Sequence, residues 1–176
     1  MNGTINKFKW FWAWQDDREE AWLGEMSRQG LHLQSTGPFG SYTFERGEKK
    51  EYTYRLDFVT QARKDESYFQ LFRDAGWKHV GEMGGWQYWR KESQSGVEPE
   101  IFTDAASKVQ KYRRLLGFLM IFLPILLFGI LNFGDYTERY QHWVFAGIFS
   151  LYFVLLVIYS AAVVMIARRI IRLRKQ

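Results

Sequence analysis

Two long apolar runs in the last third of the chain form its clearest hydrophobic pattern. They cover residues 115–133 and 143–167, and neither contains Asp, Glu, Lys, Arg or His. At about 1.5 Å per helical residue, each run is long enough to cross the ~30 Å hydrocarbon core of a bilayer. We therefore predict two transmembrane helices joined by an extracytoplasmic loop at residues 134–142. Two buried helices of a soluble protein are the disfavoured alternative, because a chain of 176 residues has no core large enough to surround them.

Basic residues flank this predicted hairpin on one side. Four precede the first run and five follow the second, whereas the loop has one arginine beside two acids. Because an excess of Lys and Arg marks the cytoplasmic side of a span, we expect a two-span cell-membrane protein with both termini in the cytoplasm. The flanking residues are Lys108, Lys111, Arg113, Arg114, Arg168, Arg169, Arg172, Arg174 and Lys175.

Residues 1–92 show shorter hydrophobic periods, of the kind that predict individual strands and helices. Aromatic rings at positions 8, 10, 12 and 14 alternate with other residues, which predicts a first strand. A helix from Asp16 to Gln29 follows, with acids in its first turn, an apolar face and Gly30 as its stop. Strands over 31–34 and 41–46 complete the unit, with a turn between them.

The same order of elements recurs after a shift of 46 positions. Phe8 falls on Tyr54 and Gly30 on Gly76, and the alignment needs no gap. A diverged duplication leaves such a pattern, although chance matching in an aromatic-rich chain is the alternative. The second unit has predicted strands over 52–59, 77–81 and 86–90, and a predicted helix over 65–75.

These elements predict an α+β fold. Two βαββ repeats, about 6–47 and 52–92, build an antiparallel sheet with two helices on one face. Residues 93–103 then form a linker, and a basic juxtamembrane helix over 104–114, capped by Thr103 or Asp104, leads into the first span. Pro124 is expected to bend that span. A basic cytoplasmic tail, residues 168–176, ends the chain.

Aromatic residues stand on both faces of the predicted strands. Because two helices cover only one side of such a sheet, the other side is predicted to be an aromatic binding surface. An equally weighted alternative is that the rings fill the core of a small domain. Candidate ligand contacts are Phe11, Trp86, Tyr88 and Trp89, with Glu45 and Glu82 as counter-charges for a cation.

Net charge differs between the part of the chain before the predicted membrane-flanking cations and the part that contains the two spans. Residues 1–107 carry a net charge of −3 and residues 108–176 a net charge of +8. The cations of the second part are explained by anionic lipid head groups, so no nucleic-acid partner is expected. The chain has no cysteine, which excludes disulfides, thiolate metal sites and cysteine nucleophiles.

Catalytic patterns are not evident in the sequence. His32 and His79 are interpreted as surface or hydrogen-bonded residues rather than metal ligands. The four acids at positions 16, 17, 19 and 20 are interpreted as a solvated first helical turn. We therefore expect no enzyme activity, no cofactor and no metal site.

The segment from Lys7 to Leu33, with Gly76-Trp77 and the glycine-rich stretch after it, resembles the domain-of-unknown-function 2812 family of Gram-positive bacteria. The pattern E-x-x-W-L-x-x-M-x-x-x-G-x-x-L carries most of this resemblance. The resemblance implies an aromatic cytosolic module followed by hydrophobic spans. Members of this family often appear near PadR-like transcription regulators, which implies a role in envelope or drug response. The two repeats also resemble, at the level of fold, the GyrI-like ligand-binding domains.

Three functions are compatible with these features. The favoured hypothesis is a membrane-anchored cytoplasmic sensory or adaptor module that binds an amphipathic small molecule or a partner segment. The alternative is an accessory or scaffold subunit of a larger membrane complex such as a transporter, or a homo-oligomer. An enzyme that acts on lipids is the least favoured.

Overall fold

The computed structural model describes residues 3–93, 99–101, 105–131 and 142–175. The chain divides into two compact units, residues 1–111 and residues 112–176. The predicted cap at Thr103 or Asp104, most of the predicted linker and nearly all of the predicted extracytoplasmic loop lie outside the described residues.

The first unit, which we call the aromatic domain, is built on two βαββ repeats. The first repeat contains β1 (Thr4–Phe8), α1 (Asp16–Arg28), β2 (Leu31–Gly37) and β3 (Ser41–Arg46). The second contains β4 (Tyr52–Phe58), α2 (Glu66–Asp74), β5 (Lys78–Met83) and β6 (Trp86–Glu92). The predicted α+β class is confirmed.

Instead of the single predicted sheet, the strands form two three-stranded antiparallel sheets with the same topology. Their orders are β1-β3-β2 and β4-β6-β5, so the third strand of each repeat lies at the centre. Each sheet has a bulge in its second strand, between Leu33 and Ser35 in β2 and between His79 and Gly81 in β5. These bulges are separated by the 46 positions that the sequence pattern predicts.

The first strand and the gap-free alignment are wrong in detail. The strand ends at Phe8, and the rings at 10, 12 and 14 belong to the loop before α1. Phe8 pairs with Ser41 as Phe58 pairs with Trp86, so Phe8 corresponds to Phe58 rather than to Tyr54. The difference arises because α1 has 13 residues and α2 has 9, one turn fewer.

The helices pack on opposite faces of the second sheet. Neighbouring residues of a strand point to opposite faces, and here the Tyr88 hydroxyl contacts Glu19 of α1 while the Trp89 ring stacks on Phe72 of α2 at 4.3 Å. α1 also contacts β2 of its own sheet, and Trp22 packs edge-on against Phe44 of β3. The second sheet is therefore covered on both sides.

The second unit contains the rest of α3 (Ala105–Met120), with α4 (Leu123–Leu131) and α5 (His142–Leu173). The break between α3 and α4 falls at 121–122, just before Pro124, which confirms the predicted bend because proline clashes with the preceding turn. The Tyr159 hydroxyl reaches the Leu119 carbonyl at 3.3 Å, and Gly129 faces the Tyr152 ring. The helices thus pack as an antiparallel hairpin.

Two helical stretches are long and apolar enough to span a membrane. They are Ala106–Gly129 and Ala146–Leu173, with mean hydropathies of 1.6 and 2.5. In the most apolar part of each stretch only 11% and 6% of the residues are buried, whereas the core helix of a soluble protein is mostly buried.

Candidate functional site

Three carboxylates at the start of α1 are buried, which corrects the expectation of a solvated turn. Asp16 is 3% exposed and Glu19 is 7% exposed, while the Glu20 side chain is 12% exposed. The cause is helical periodicity, because positions 16, 19, 20 and 23 share one face and Leu23 anchors that face in the core. Of the four acids only Asp17 is exposed to solvent.

Glu19 joins the two sheets. One of its oxygens, Oε1, accepts hydrogen bonds from the Tyr42 hydroxyl at 2.8 Å and from the Tyr88 hydroxyl at 2.7 Å. Tyr42 lies on β3 of the first sheet and Tyr88 on β6 of the second. Burial raises the pKa of the Glu19 carboxyl, and the two hydroxyl donors partly offset that rise. Burial and the neighbouring carboxylate likewise raise the pKa of both tyrosines.

Glu20 contacts β4 instead. It accepts a hydrogen bond from the Leu56 backbone N–H at 2.8 Å, and its other oxygen lies 3.5 Å from the Arg55 guanidinium. Burial raises the pKa of Glu20 to about 7 although Lys111 and Arg55 oppose that rise. This carboxyl therefore titrates close to neutral pH.

Lys111 completes this group, which we call the carboxylate cluster (Asp16, Glu19, Glu20, Arg55 and Lys111). The lysine Nζ donates to Asp16 Oδ2 at 2.6 Å and to the Leu56 carbonyl at 3.1 Å. It also lies 5.9 Å from the centre of the Trp86 ring. Both charged side chains are buried, at 7% and 3% exposed. Lys111 belongs to α3, so this helix is fixed to α1 and β4 by a buried ion pair.

This placement corrects the interpretation of Lys111 as a membrane-flanking cation. Lys108 pairs with Glu100 at 3.1 Å, and Arg169 lies over the Tyr112 ring at 5.6 Å. Arg113, Arg168 and Arg172 are exposed and Arg114 is half-buried, as residues at a membrane surface can be. Lys111 differs from these residues because its side chain is buried against α1 and β4.

A second feature, the aromatic pocket, opens beside α2. It is a depression open to solvent, with a volume of about 480 Å³, and it is lined by Phe69, Arg73, Gly76, Trp77, Lys78, His79 and Trp89. Two of the lining residues, Trp77 and Trp89, belong to a buried cluster with Phe72, against which Ile101 also packs. His79 lies between the Phe69 and Trp89 rings, and burial lowers the pKa of its imidazole. The walls are therefore aromatic.

The charged residues of the pocket are cations. Arg73 and Lys78 lie at its edge, and Lys91 places its ammonium 6.0 Å from the Trp77 ring. Arg73 pairs with Glu66, and Lys91 donates to the Ala75 carbonyl at 2.7 Å. The charged side chains that line this surface are therefore cationic, and Glu66 is an acid that pairs with one of them.

The sequence-predicted contacts do not form one exposed aromatic face. Trp86 is 9% exposed, Tyr88 1% and Trp89 0%, because helices cover both sides of β6. Phe11 is half-buried in the loop before α1, where it packs against Trp22. Of these four rings, only Trp89 lines the aromatic pocket.

The predicted counter-charges lie outside the aromatic pocket. Glu82 is exposed, pairs with Lys64 and accepts from Gln87 at 3.1 Å, and its pKa is lowered by these contacts. Glu45 is a half-buried residue of β3, paired in the ladder with Thr4 and His32. Within the described residues, no group of three or more His, Asp or Glu side chains is arranged to hold a metal.

Comparison with known proteins gives one match. A family model described as "Protein of unknown function (DUF2812)" matches residues 15–124, from the residue before α1 to the start of α4. No curated protein and no solved structure matches the chain. The likeness to GyrI-like domains therefore stays a prediction.

Proposed function

The chain belongs to the DUF2812 family, and we propose that it is a membrane-anchored sensory or adaptor module, with its aromatic domain in the cytoplasm. In this proposal α3 and α4 together form one span and α5 forms the other. Eight basic residues besides the buried Lys111 flank the pair on the proposed cytoplasmic side, which supports this orientation.

The buried ion pair between Lys111 and Asp16 carries the proposal. A buried ion pair is sensitive to small displacements, because losing one partner leaves a desolvated charge. Lys111 lies in the same helix as the apolar residues that begin at Leu115. A shift of α1 or β4 is therefore passed directly to a membrane-spanning segment.

The aromatic pocket is the proposed input. Ile101, a few residues before α3, packs against the cluster of Phe72, Trp77 and Trp89 that borders this pocket. The adjacent Glu100 pairs with Arg55 of the carboxylate cluster at 3.0 Å and with Lys108 of α3 at 3.1 Å. Occupancy of the pocket would thus move the segment that precedes α3 as well as its ion pairs. The proposed ligand is an amphipathic molecule with an aromatic or aliphatic body and an acidic group.

The test uses the full chain in lipid nanodiscs, titrated with naphthalene and indole carboxylates and, for comparison, with tetraphenylphosphonium. We expect a carboxylate to bind and the double variant Arg73→Gln/Lys78→Gln to weaken its binding at least severalfold. The control Lys49→Gln removes an exposed cation outside the pocket and should leave the affinity unchanged.

The same complex tests transmission. Hydrogen exchange of the amides of α3 should change when the carboxylate binds, and Asp16→Asn/Lys111→Met should abolish the change while binding persists. If no probe binds, or if binding leaves α3 unaffected, the sensory role is wrong. The accessory or scaffold subunit then becomes the better interpretation, to be tested by co-purification from native membranes.

A further inference from the structure

Large aromatic side chains are exposed together at one end of the first sheet. Phe8 is 78% exposed, Trp10 57%, Trp12 37% and Phe39 83%. We call these four residues the aromatic tip. They belong neither to the carboxylate cluster nor to the aromatic pocket.

Two loops build the aromatic tip side by side. The Lys9 backbone N–H donates to the Gly40 carbonyl at 2.8 Å, directly after Phe8 pairs with Ser41. The rings of Trp10 and Trp12 meet edge-on with their centres 5.6 Å apart. The tip is thus a defined surface rather than scattered rings.

The backbone holds Phe39 outward at a conformational cost. Its φ is 57°, in the left-handed region that is strained for a residue other than glycine. Its neighbour Gly40 fits tightly, since a Cβ there would lie 2.4 Å from the Lys9 carbonyl oxygen. The turn therefore exposes a large ring where a polar residue or glycine would be less costly.

We propose that the aromatic tip inserts into the head-group region of a lipid bilayer. Trp favours this region because its ring is apolar while its N–H remains hydrated, and Phe39 can reach the acyl boundary. Lys7 and Lys9 flank Phe8 in sequence and add attraction for anionic lipids.

Covalent continuity favours lipid over a protein partner. The aromatic domain extends to Lys111, and the apolar run of the first proposed span starts at Leu115. A bilayer surface is therefore always available to the domain, at a high effective concentration. This inference depends on the membrane anchoring in the proposed function, but not on its ligand or on signal transmission.

The absence of native cysteine allows a direct test by single-cysteine spin labelling of the full chain in nanodiscs that contain anionic lipid. Phe39→Cys reports on the aromatic tip. Lys49→Cys is the matched control, because Lys49 is exposed and follows the opposite end of β3. Phe128→Cys, on the proposed first span, reports on anchoring.

We expect the label at 39 to be severalfold more accessible to oxygen, relative to a water-soluble nickel complex, than the label at 49. A water-accessible label at 39 beside a lipid-accessible label at 128 would overturn the insertion and leave the anchoring intact. Protection of position 39 from both reagents would mean that protein covers the tip, which also overturns it. A water-accessible label at 128 would overturn the anchoring and the insertion together.

Discussion

At the scale of single residues, the carboxylate cluster makes stability depend on pH. The Glu20 carboxyl has a pKa of about 7 in the folded chain, above the ordinary glutamate pKa of 4.5. Between these values the folded state binds more protons than the unfolded state, so the free energy of unfolding falls as pH rises. Raised by the same burial, the pKa of Glu19 contributes with the same sign.

Glu20→Gln should therefore stabilise the fold above pH 7, by at most about 3 kcal/mol. The amide oxygen can still accept from the Leu56 N–H, whereas the cost of a buried charge disappears. Denaturant unfolding of the full chain in nanodiscs at pH 5 and pH 8 measures the effect. The variant should show a smaller difference between the two pH values than the native chain, and an unchanged difference would exclude Glu20 as the titrating group.

Lys111→Met should destabilise the aromatic domain by about 3–5 kcal/mol, because it leaves Asp16 charged and buried without its ammonium partner. Lys108→Met is the control, since its pair with Glu100 is partly exposed and is worth about 0–1 kcal/mol. The double variant Asp16→Asn/Lys111→Met should recover most of the loss. Near-ultraviolet circular dichroism, followed during unfolding, measures the stability of each variant. An equal loss of stability in Lys111→Met and Lys108→Met would contradict the buried ion pair.

At the scale of elements, glycines that end helices distinguish the two repeats. Gly30 and Gly76 both have a φ of +80°, so alanine strains the backbone at either position. A Cβ at Gly30 would also lie 2.6 Å from the Gly47 carbonyl oxygen, whereas at Gly76 its nearest neighbour is the flexible Lys91 side chain at 3.4 Å. Gly30→Ala should lower the unfolding midpoint more than Gly76→Ala does, and the reverse order would contradict this packing.

Gly129→Leu should destabilise the helical hairpin, by about 1–3 kcal/mol, because the added side chain would overlap the Tyr152 ring. A Cβ at Gly117 would have no neighbour within 4 Å, so Gly117→Leu is a size-matched control. Thermal unfolding in detergent, followed by helical circular dichroism, separates the two variants. Equal melting temperatures would show that α4 and α5 do not pack at Gly129.

Local sequence patterns predicted most helices and strands, but they failed where contacts between distant residues determine the structure. Helix stops, strand order and the bend before Pro124 follow from glycine, proline and periodicity. The alternating rings from Phe8 to Trp14 imitate a strand, although most of them lie in a loop. The burial of Asp16 depends on Lys111, which lies 95 positions away, and no local pattern contains that pairing.

At the scale of the whole molecule, the proposed orientation of the helical hairpin can be tested directly. A reporter that is active only outside the cytoplasm should stay silent when fused after Gln176, because the distribution of basic residues predicts cytoplasmic termini. The same reporter placed in the loop at residues 134–142 should be active. Activity at the C-terminus would invert the hairpin and move the aromatic domain out of the cytoplasm.

The different lengths of α1 and α2 have a consequence for what each repeat contacts. Counted back from the helix ends, α2 begins where Glu20 stands in α1, so the turn from Asp16 to Glu19 has no helical counterpart in the second repeat, where Asp65 caps α2 at the position of Glu19. The first repeat thus has a helical turn that contacts α3, whereas the second has a shorter helix beside an open pocket. Adding an equivalent turn to α2 would make the two repeats more alike, and it would remove the difference between a repeat that contacts α3 and a repeat that borders a pocket.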